Sequence, residues 1–146
     1  MTYGNMYKQY RRANIETAGK LDLIIMCYEK AIQLLTQAKG HYLNNEIEKK
    51  ATKMQKAINI INELKGCLNL KEGGQIAVNL DAIYTYLNKR LLLGDIKKDL
   101  SVFDESINIL AELKSAWMEI SNEKNSYQSI PDTPGIPQKR FEQIAA

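Results

Sequence analysis

Apolar residues recur at steps of three and four along nearly the whole chain from residue 20 to residue 121. The pattern breaks at three places, Asn44-Asn45, Gly73-Gly74 and Gly94-Asp95, and each of these is typical of a helix end or a turn. No segment shows the alternation of apolar and polar residues that a half-buried strand requires. The sequence therefore predicts an all-α fold, an antiparallel up-down four-helix bundle with short loops.

The ends of the chain differ from the bundle in composition. Residues 20–122 carry the helical periodicity, whereas residues 1–19 form an N-terminal arm in which Tyr7 and Tyr10 would lie together on one helical turn as an apolar cap. Residues 123–146 hold all three prolines of the chain between polar residues. We expect this last segment to be a flexible tail.

The helix ends can be predicted from capping residues. Asn45 followed by Glu48 resembles a capping box at the start of the second helix. The third helix is predicted to run from about residue 75 to Leu93 and to stop at Gly94, and Asp95 is a plausible N-cap for the fourth, which ends near residue 122.

Core stripes follow from the same periodicity. In the second helix the stripe begins at Ile47 and Ala51, and lysines including Lys50 are expected on the opposite, solvated side. In the fourth helix Trp117 continues the apolar stripe, so we expect it to be buried.

Net charge and hydropathy narrow the range of partners. The net charge of +3 arises within the first 20 residues, where four basic side chains stand against Glu16, so the bundle itself is balanced. A nucleic-acid-binding bundle would be expected to carry a basic face. No run approaches the roughly 20 apolar residues of a membrane span, and no secretory signal is evident. We expect a cytoplasmic protein that neither binds nucleic acid nor inserts into membranes.

The sequence lacks the residue groups that catalysis needs. The single histidine, His41, lies near a predicted helix end and is interpreted as a solvated side chain. Cys27 and Cys67 do not form a Cys-x-x-Cys pair and are interpreted as buried reduced thiols. Gly73-Gly74 lacks the strand and the Gly-Lys-Ser/Thr ending of a phosphate-binding loop. We therefore expect no enzyme activity, no cofactor and no metal.

Several apolar residues lie off the main stripe of their helix, and a four-helix core does not require them. A helix that is apolar on more than one face has more than one neighbour. Within each helix the residues are separated by steps of four or seven, which places them on a shared face. Ordinary packing remains the alternative for any one of them. The predicted partner-binding set, with the two arm tyrosines, is Tyr7, Tyr10, Ile60, Cys67, Val78, Ala82, Tyr86, Leu93, Val102 and Ile109.

Three blocks of the sequence resemble a known family in order and spacing. They are residues 7–32, residues 57–91 and residues 110–117. The second block carries the most specific wording, namely Gly73-Gly74, Asn79-Leu80, Tyr84-x-Tyr86-Leu87 and Arg90-Leu91. Together they resemble the flagellar export chaperone family that binds flagellin. The chain departs from the family pattern at residues 19–20, where Gly-Lys replaces Ser-Pro, and at residues 29–30, where Glu-Lys replaces Asp-Gly.

The resemblance implies a function. It implies a cytoplasmic chaperone that binds the C-terminal segment of flagellin, prevents premature polymerisation and supports secretion through the flagellar export apparatus. An export-gate component and a second copy of the chain are further candidate partners. The alternative is a generic helical-bundle adaptor, or a self-associating structural protein, without a flagellin client.

Overall fold

The computed structural model describes residues 19–128, with side chains for residues 19–123. Within this range the chain forms four helices and no strand, so the predicted all-α class is confirmed. Residues 123–128, which were predicted to belong to the flexible tail, are part of the fourth helix. The predicted contributions of Tyr7 and Tyr10, and residues 129–146 of the tail, lie outside the described residues. The helices are α1 (Gly19–Leu43), α2 (Ile47–Gly66), α3 (Gly74–Lys97) and α4 (Ser101–Gln128).

Contacts between neighbouring helices run in opposite order along the chain. Near the start of α1, Asp22 accepts a hydrogen bond of 3.3 Å from Ser121 near the end of α4. Near the end of α1, Lys39 forms an ion pair of 2.9 Å with Asp104 near the start of α4. Helices α1 and α3 each pack between α2 and α4, which closes a ring of four. The same antiparallel order appears between α2 and α3, in the pairs Lys65–Asp81 and Lys50–Asp95.

The centre of the core contains a polar contact between two tyrosines. Tyr28 of α1 and Tyr84 of α3 share a hydroxyl–hydroxyl hydrogen bond, and their ring centroids lie 6.5 Å apart. Burial raises the pKa of both phenols, so both remain neutral at physiological pH. Trp117 of α4 lies beside Tyr28 and is only 2% exposed, which confirms its predicted burial. Through Tyr28, Tyr84 and Trp117, helices α1, α3 and α4 contact one another by aromatic side chains in the core.

The turn between α1 and α2 differs from the predicted capping box. Asn45 has a φ of 58° and lies in the left-handed region that ends a helix, where asparagine is one of the few tolerated residues. The N-cap of α2 is Glu46, whose carboxylate bonds the His41 ring at 3.1 Å and Lys49 at 3.1 Å. The prediction that Asn45 caps α2 with Glu48 is therefore wrong, because Asn45 ends α1 instead.

The predicted break at Gly94 and Asp95 is also wrong. Helix α3 continues to Lys97, and Lys98, with a φ of 57°, ends it. Gly94 is buried inside the helix, where a Cβ atom would lie 2.8 Å from the Cβ of Val102 and closer still to its methyl groups. Glycine is needed here for close approach of α3 to α4, and not for a turn. The carboxylate that serves the start of α4 belongs to Asp99, which accepts a hydrogen bond of 3.0 Å from the Ser101 N–H.

The stripe predicted for α2 is rotated relative to the observed core. Ile47 is 54% exposed and Ala51 is exposed, whereas Lys50 is 6% exposed. The Lys50 ammonium forms an ion pair with Asp95 and lies 5.6 Å from the centre of the Tyr42 ring. A lysine can be buried when its charge is paired and its stem packs on apolar neighbours, which periodicity alone does not reveal.

Trp117 provides a test of the core. Replacing Trp117 by alanine should lower the free energy of unfolding by about 3–5 kcal/mol, because a fully packed indole would leave a cavity between α1 and α4. Urea unfolding followed by circular dichroism measures this loss. The matched control is Met118→Ala, at a side chain that is 43% exposed. Its effect should stay within about 0.5 kcal/mol. Equal losses in the two variants would show that Trp117 is not a core residue.

Candidate protein-binding surface

The outer face of α3 is apolar and exposed. Val78 is 49% exposed and Tyr86 is 44% exposed, and Ala82 and Leu93 are also exposed. These four predicted residues follow one another at steps of four, four and seven, so they share the side of α3 that faces away from the core. The core side of the same helix is occupied by other residues, namely Ala77, Leu80, Tyr84, Leu87 and Leu91.

The exposed face extends further than predicted. Leu92 is 58% exposed, and Ile96 is 70% exposed, more than any other large apolar side chain among the described residues. Ile96 was missed because the third helix was predicted to end at Leu93, whereas Leu92 lies within the predicted helix and was not selected. The Gly94-Asp95 pair resembles a helix end in sequence, and only the close approach of α3 to Val102 explains the glycine.

A polar cluster joins this face to α4. The Tyr86 hydroxyl donates a hydrogen bond to Glu105, and Arg90 donates two more to the same carboxylate, of 3.2 Å from Nε and 2.9 Å from its terminal nitrogen. These bonds hold the pKa of the Glu105 carboxyl below its ordinary value, with the Tyr86 bond as the larger cause. The carboxylate in turn raises the pKa of the Tyr86 phenol. Tyr86 is therefore fixed in direction while its ring stays accessible.

One further predicted residue lies at the same seam. Ile109 is half-buried, one helical turn after Glu105 on α4. Of the two predicted α4 residues, Ile109 is the one that stays partly exposed.

The remaining described members of the predicted set lie elsewhere. Ile60 and Val102 are buried at 6% and 0% exposure, so the premise that they lie outside the core is wrong. The observed stripe of α2 includes Ile60 because that stripe is rotated, and Val102 fills the space beside Gly94. Cys67 is exposed at the end of α2, contrary to the expectation of two buried thiols. Cys27 is buried, and burial raises the pKa of its thiol to about 12.

The described part of the chain shows two further features that bear on chemistry. Within it, no group of three or more histidine, cysteine or acidic side chains is placed to hold a metal ion. Among its four helices, none is both long and apolar enough to cross a membrane. The exposed apolar side chains of α3 are suited to apolar contact with another polypeptide, and the neighbouring Arg90 and Glu105 neutralise each other.

Comparison with known proteins agrees with the resemblance predicted from the sequence. The model of the family described as flagellar protein FliS matches residues 3–124. The flagellar secretion chaperone FliSB of Pseudomonas aeruginosa is 35% identical over 119 residues, which cover 79% of this chain and 94% of that protein. The flagellar secretion chaperone FliS of Salmonella typhimurium is 33% identical over 126 residues, which cover 83% of this chain and 93% of that protein. The flagellar secretion chaperone FliS of Vibrio cholerae is 31% identical over 118 residues, which cover 78% of this chain and 87% of that protein.

The Glu105 cluster predicts a pH-dependent contribution to stability. Because the pKa of Glu105 is lowered in the folded protein, its contribution is present above the ordinary value of 4.5 and is lost as the pH falls through the folded value. Glu105→Gln should therefore lower the free energy of unfolding at about pH 7, and the difference from the wild type should shrink near pH 3. The effect should be modest, since the carboxylate is one-third exposed.

Urea unfolding at the two pH values measures this difference. Glu112→Gln, at an exposed glutamate of the same helix, is the matched control and should show neither effect. A loss in Glu105→Gln that does not change with pH would contradict a stabilising role of the carboxylate charge.

Proposed function

The chain belongs to the FliS family of flagellar proteins, and from that membership we propose that it is a cytoplasmic export chaperone that binds the C-terminal segment of flagellin. By covering this segment the chaperone prevents premature polymerisation and keeps the client competent for secretion through the flagellar export apparatus. The protein acts by binding and has no catalytic role.

The observation that carries this proposal is the exposed apolar face of α3. Monomeric proteins seldom leave a continuous apolar strip uncovered unless it binds something. A helix laid along a groove uses apolar anchors at steps of three, four and seven, which is the spacing of Val78, Ala82, Tyr86 and Leu93. Polymerising segments associate through the same kind of apolar face, so occupying that face removes the template for assembly.

The contact set follows from accessibility. On α3 it comprises Val78, Ala82, Tyr86 and Leu93, and Ile109 adds a half-buried contact from α4. Cys67, the exposed C-cap residue of α2, remains a proposed contact. Ile60 and Val102 are enclosed by the core in this conformation and are not proposed as contacts.

The named relatives are secretion chaperones, which supports a role in export. We therefore also propose that the loaded chaperone delivers flagellin to a component of the export gate. A second copy of this chain is the competing occupant of the α3 face in the absence of the client.

Tyr86 provides the direct test of client binding. Tyr86→Asp should abolish binding to a peptide of the flagellin C-terminal segment, because the complex would bury an unpaired charge. The helical circular dichroism signal and melting temperature should stay nearly unchanged, since the ring is 44% exposed. Isothermal titration calorimetry measures the affinity. Met26→Asp is the matched control on α1, which lies diagonally across the bundle from α3.

The outcomes of this experiment separate three cases. Loss of binding with an intact fold supports the α3 surface. Unfolding of Tyr86→Asp would place Tyr86 in the core. Tight binding by the folded variant would place the client groove elsewhere on the bundle.

The N-terminal arm supplies a second test of the proposed mechanism. We propose that Tyr7 and Tyr10 cover part of the client surface in the free protein and are displaced by the client. Removal of residues 1–17 should then raise affinity for the flagellin peptide or increase self-association, which calorimetry and sedimentation velocity measure. A Tyr7→Ser, Tyr10→Ser variant of the full chain should show the same change. If affinity and self-association both stay at wild-type values, the arm does not compete with the client.

A further inference from the structure

The exposed face of α3 contains one charged side chain in its middle. Lys89 is exposed and lies eleven residues after Val78 and seven before Ile96. Its neighbours one turn away on the same helix are Thr85 and Tyr86 on one side, and Leu92 and Leu93 on the other. None of these four can form the ion pair that a lysine usually finds three or four residues along a helix.

The acidic side chains of the adjoining seams are committed to other partners. Asp81 pairs with Lys65 at 3.5 Å, and Asp95 pairs with Lys50. Glu105 already accepts hydrogen bonds from Tyr86 and Arg90. None of the ion pairs formed within residues 19–123 includes Lys89. The face is therefore apolar with a single uncompensated positive charge.

A client helix on this face would cover the charge. From Val78 to Ile96 the face is roughly 27 Å long at 1.5 Å per residue, which is the length of about five helical turns. A helix that contacts residues on both sides of Lys89 removes water from around its stem and restricts its ammonium group. The loss of hydration is compensated when the client presents a carboxylate to the ammonium at that point.

We propose that Lys89 is a specificity-determining residue of the α3 face, and that the face selects an amphipathic client helix carrying an acidic residue within or at the edge of its apolar stripe. The proposal rests on the proposed flagellin-chaperone function and adds the register and the chemistry of the client. Apolar contacts alone can slide by one turn along a ridge. A single charge pair fixes one position, as a polar residue fixes register in a coiled coil.

The test is a charge-reversal cycle in the full-length chaperone with a synthetic peptide of the flagellin C-terminal segment as the probe. Lys89→Glu should weaken peptide binding about tenfold or more, since truncating a desolvated charge pair typically has at least this effect. Replacing one acidic residue of the peptide by lysine should restore affinity to Lys89→Glu and reduce it for the wild type. Each acidic position of the peptide is exchanged in turn, and restoration is expected at one position only.

Two further variants separate the charge from the rest of the side chain. Lys89→Met keeps a stem of similar length without the charge, and it should also bind more weakly than the wild type. Lys20→Glu is the control, because Lys20 is an exposed lysine on α1, diagonally opposite α3. It should leave the affinity unchanged. Circular dichroism of each variant verifies that the bundle is intact.

The possible results are distinguishable. Wild-type affinity in Lys89→Met, or restoration by no peptide exchange, would overturn the proposal, because the lysine would then simply extend its ammonium into water. Such a result, together with loss of binding in Tyr86→Asp, would leave the proposed chaperone function standing. Absence of peptide binding by the wild-type protein would contradict the proposed function itself, and the inference about Lys89 with it.

Discussion

The architecture depends on the burial of α1 against two neighbours at once. Helix α1 makes its extensive contacts with α2 on one flank and α4 on the other, and eight of its side chains are buried. Across the centre, its Tyr28 reaches α3 through the hydroxyl of Tyr84. An unmade hydrogen bond at this depth would cost more than the bond itself contributes, so the two hydroxyls constrain where α3 can lie. The position of α3 is thus set from the core side, by one contact near the middle of the bundle.

The seams that flank α3 contain several polar contacts. Asn88 bonds Asn62 at 2.7 Å on the α2 side, and Arg90 bonds Glu105 on the α4 side. The hydroxyl oxygen of Ser106 on α4 is buried without a hydrogen-bond partner. Polar contacts contribute less stabilisation per unit area than apolar contacts, because polar groups exchange water for protein partners at little net gain. Helix α3 also makes fewer contacts with its neighbours than any of the other three helices, which leaves its outer side free for another chain.

The sequence predicted the helices well and their rotation and ends less well. Periodicity identified all four helices, and Trp117 was placed correctly because large aromatic residues on a stripe are seldom left exposed. It failed where a residue had two physical interpretations. Gly94 could be a helix end or a close approach, and Lys50 could be solvated or buried with Asp95. Only the position of a neighbouring helix decides between them.

The same ambiguity explains why some of the residues predicted for the candidate surface are exposed and others are buried. The predicted α3 residues are all exposed, because Leu80, Leu87 and Leu91 of the predicted stripe do face the core. In α2 and α4, Ile60 and Val102 proved to be core residues. Under the proposed function, the α3 face binds an aggregation-prone client and also has to avoid binding a second copy of itself. Symmetric pairing of two α3 faces about their middle would bring one Lys89 against the other, and like charges in contact oppose that association. A client helix with an acidic residue at the same position meets no such repulsion. One charge in an apolar strip can thus favour the client over a second copy of the chaperone, at no loss of apolar area.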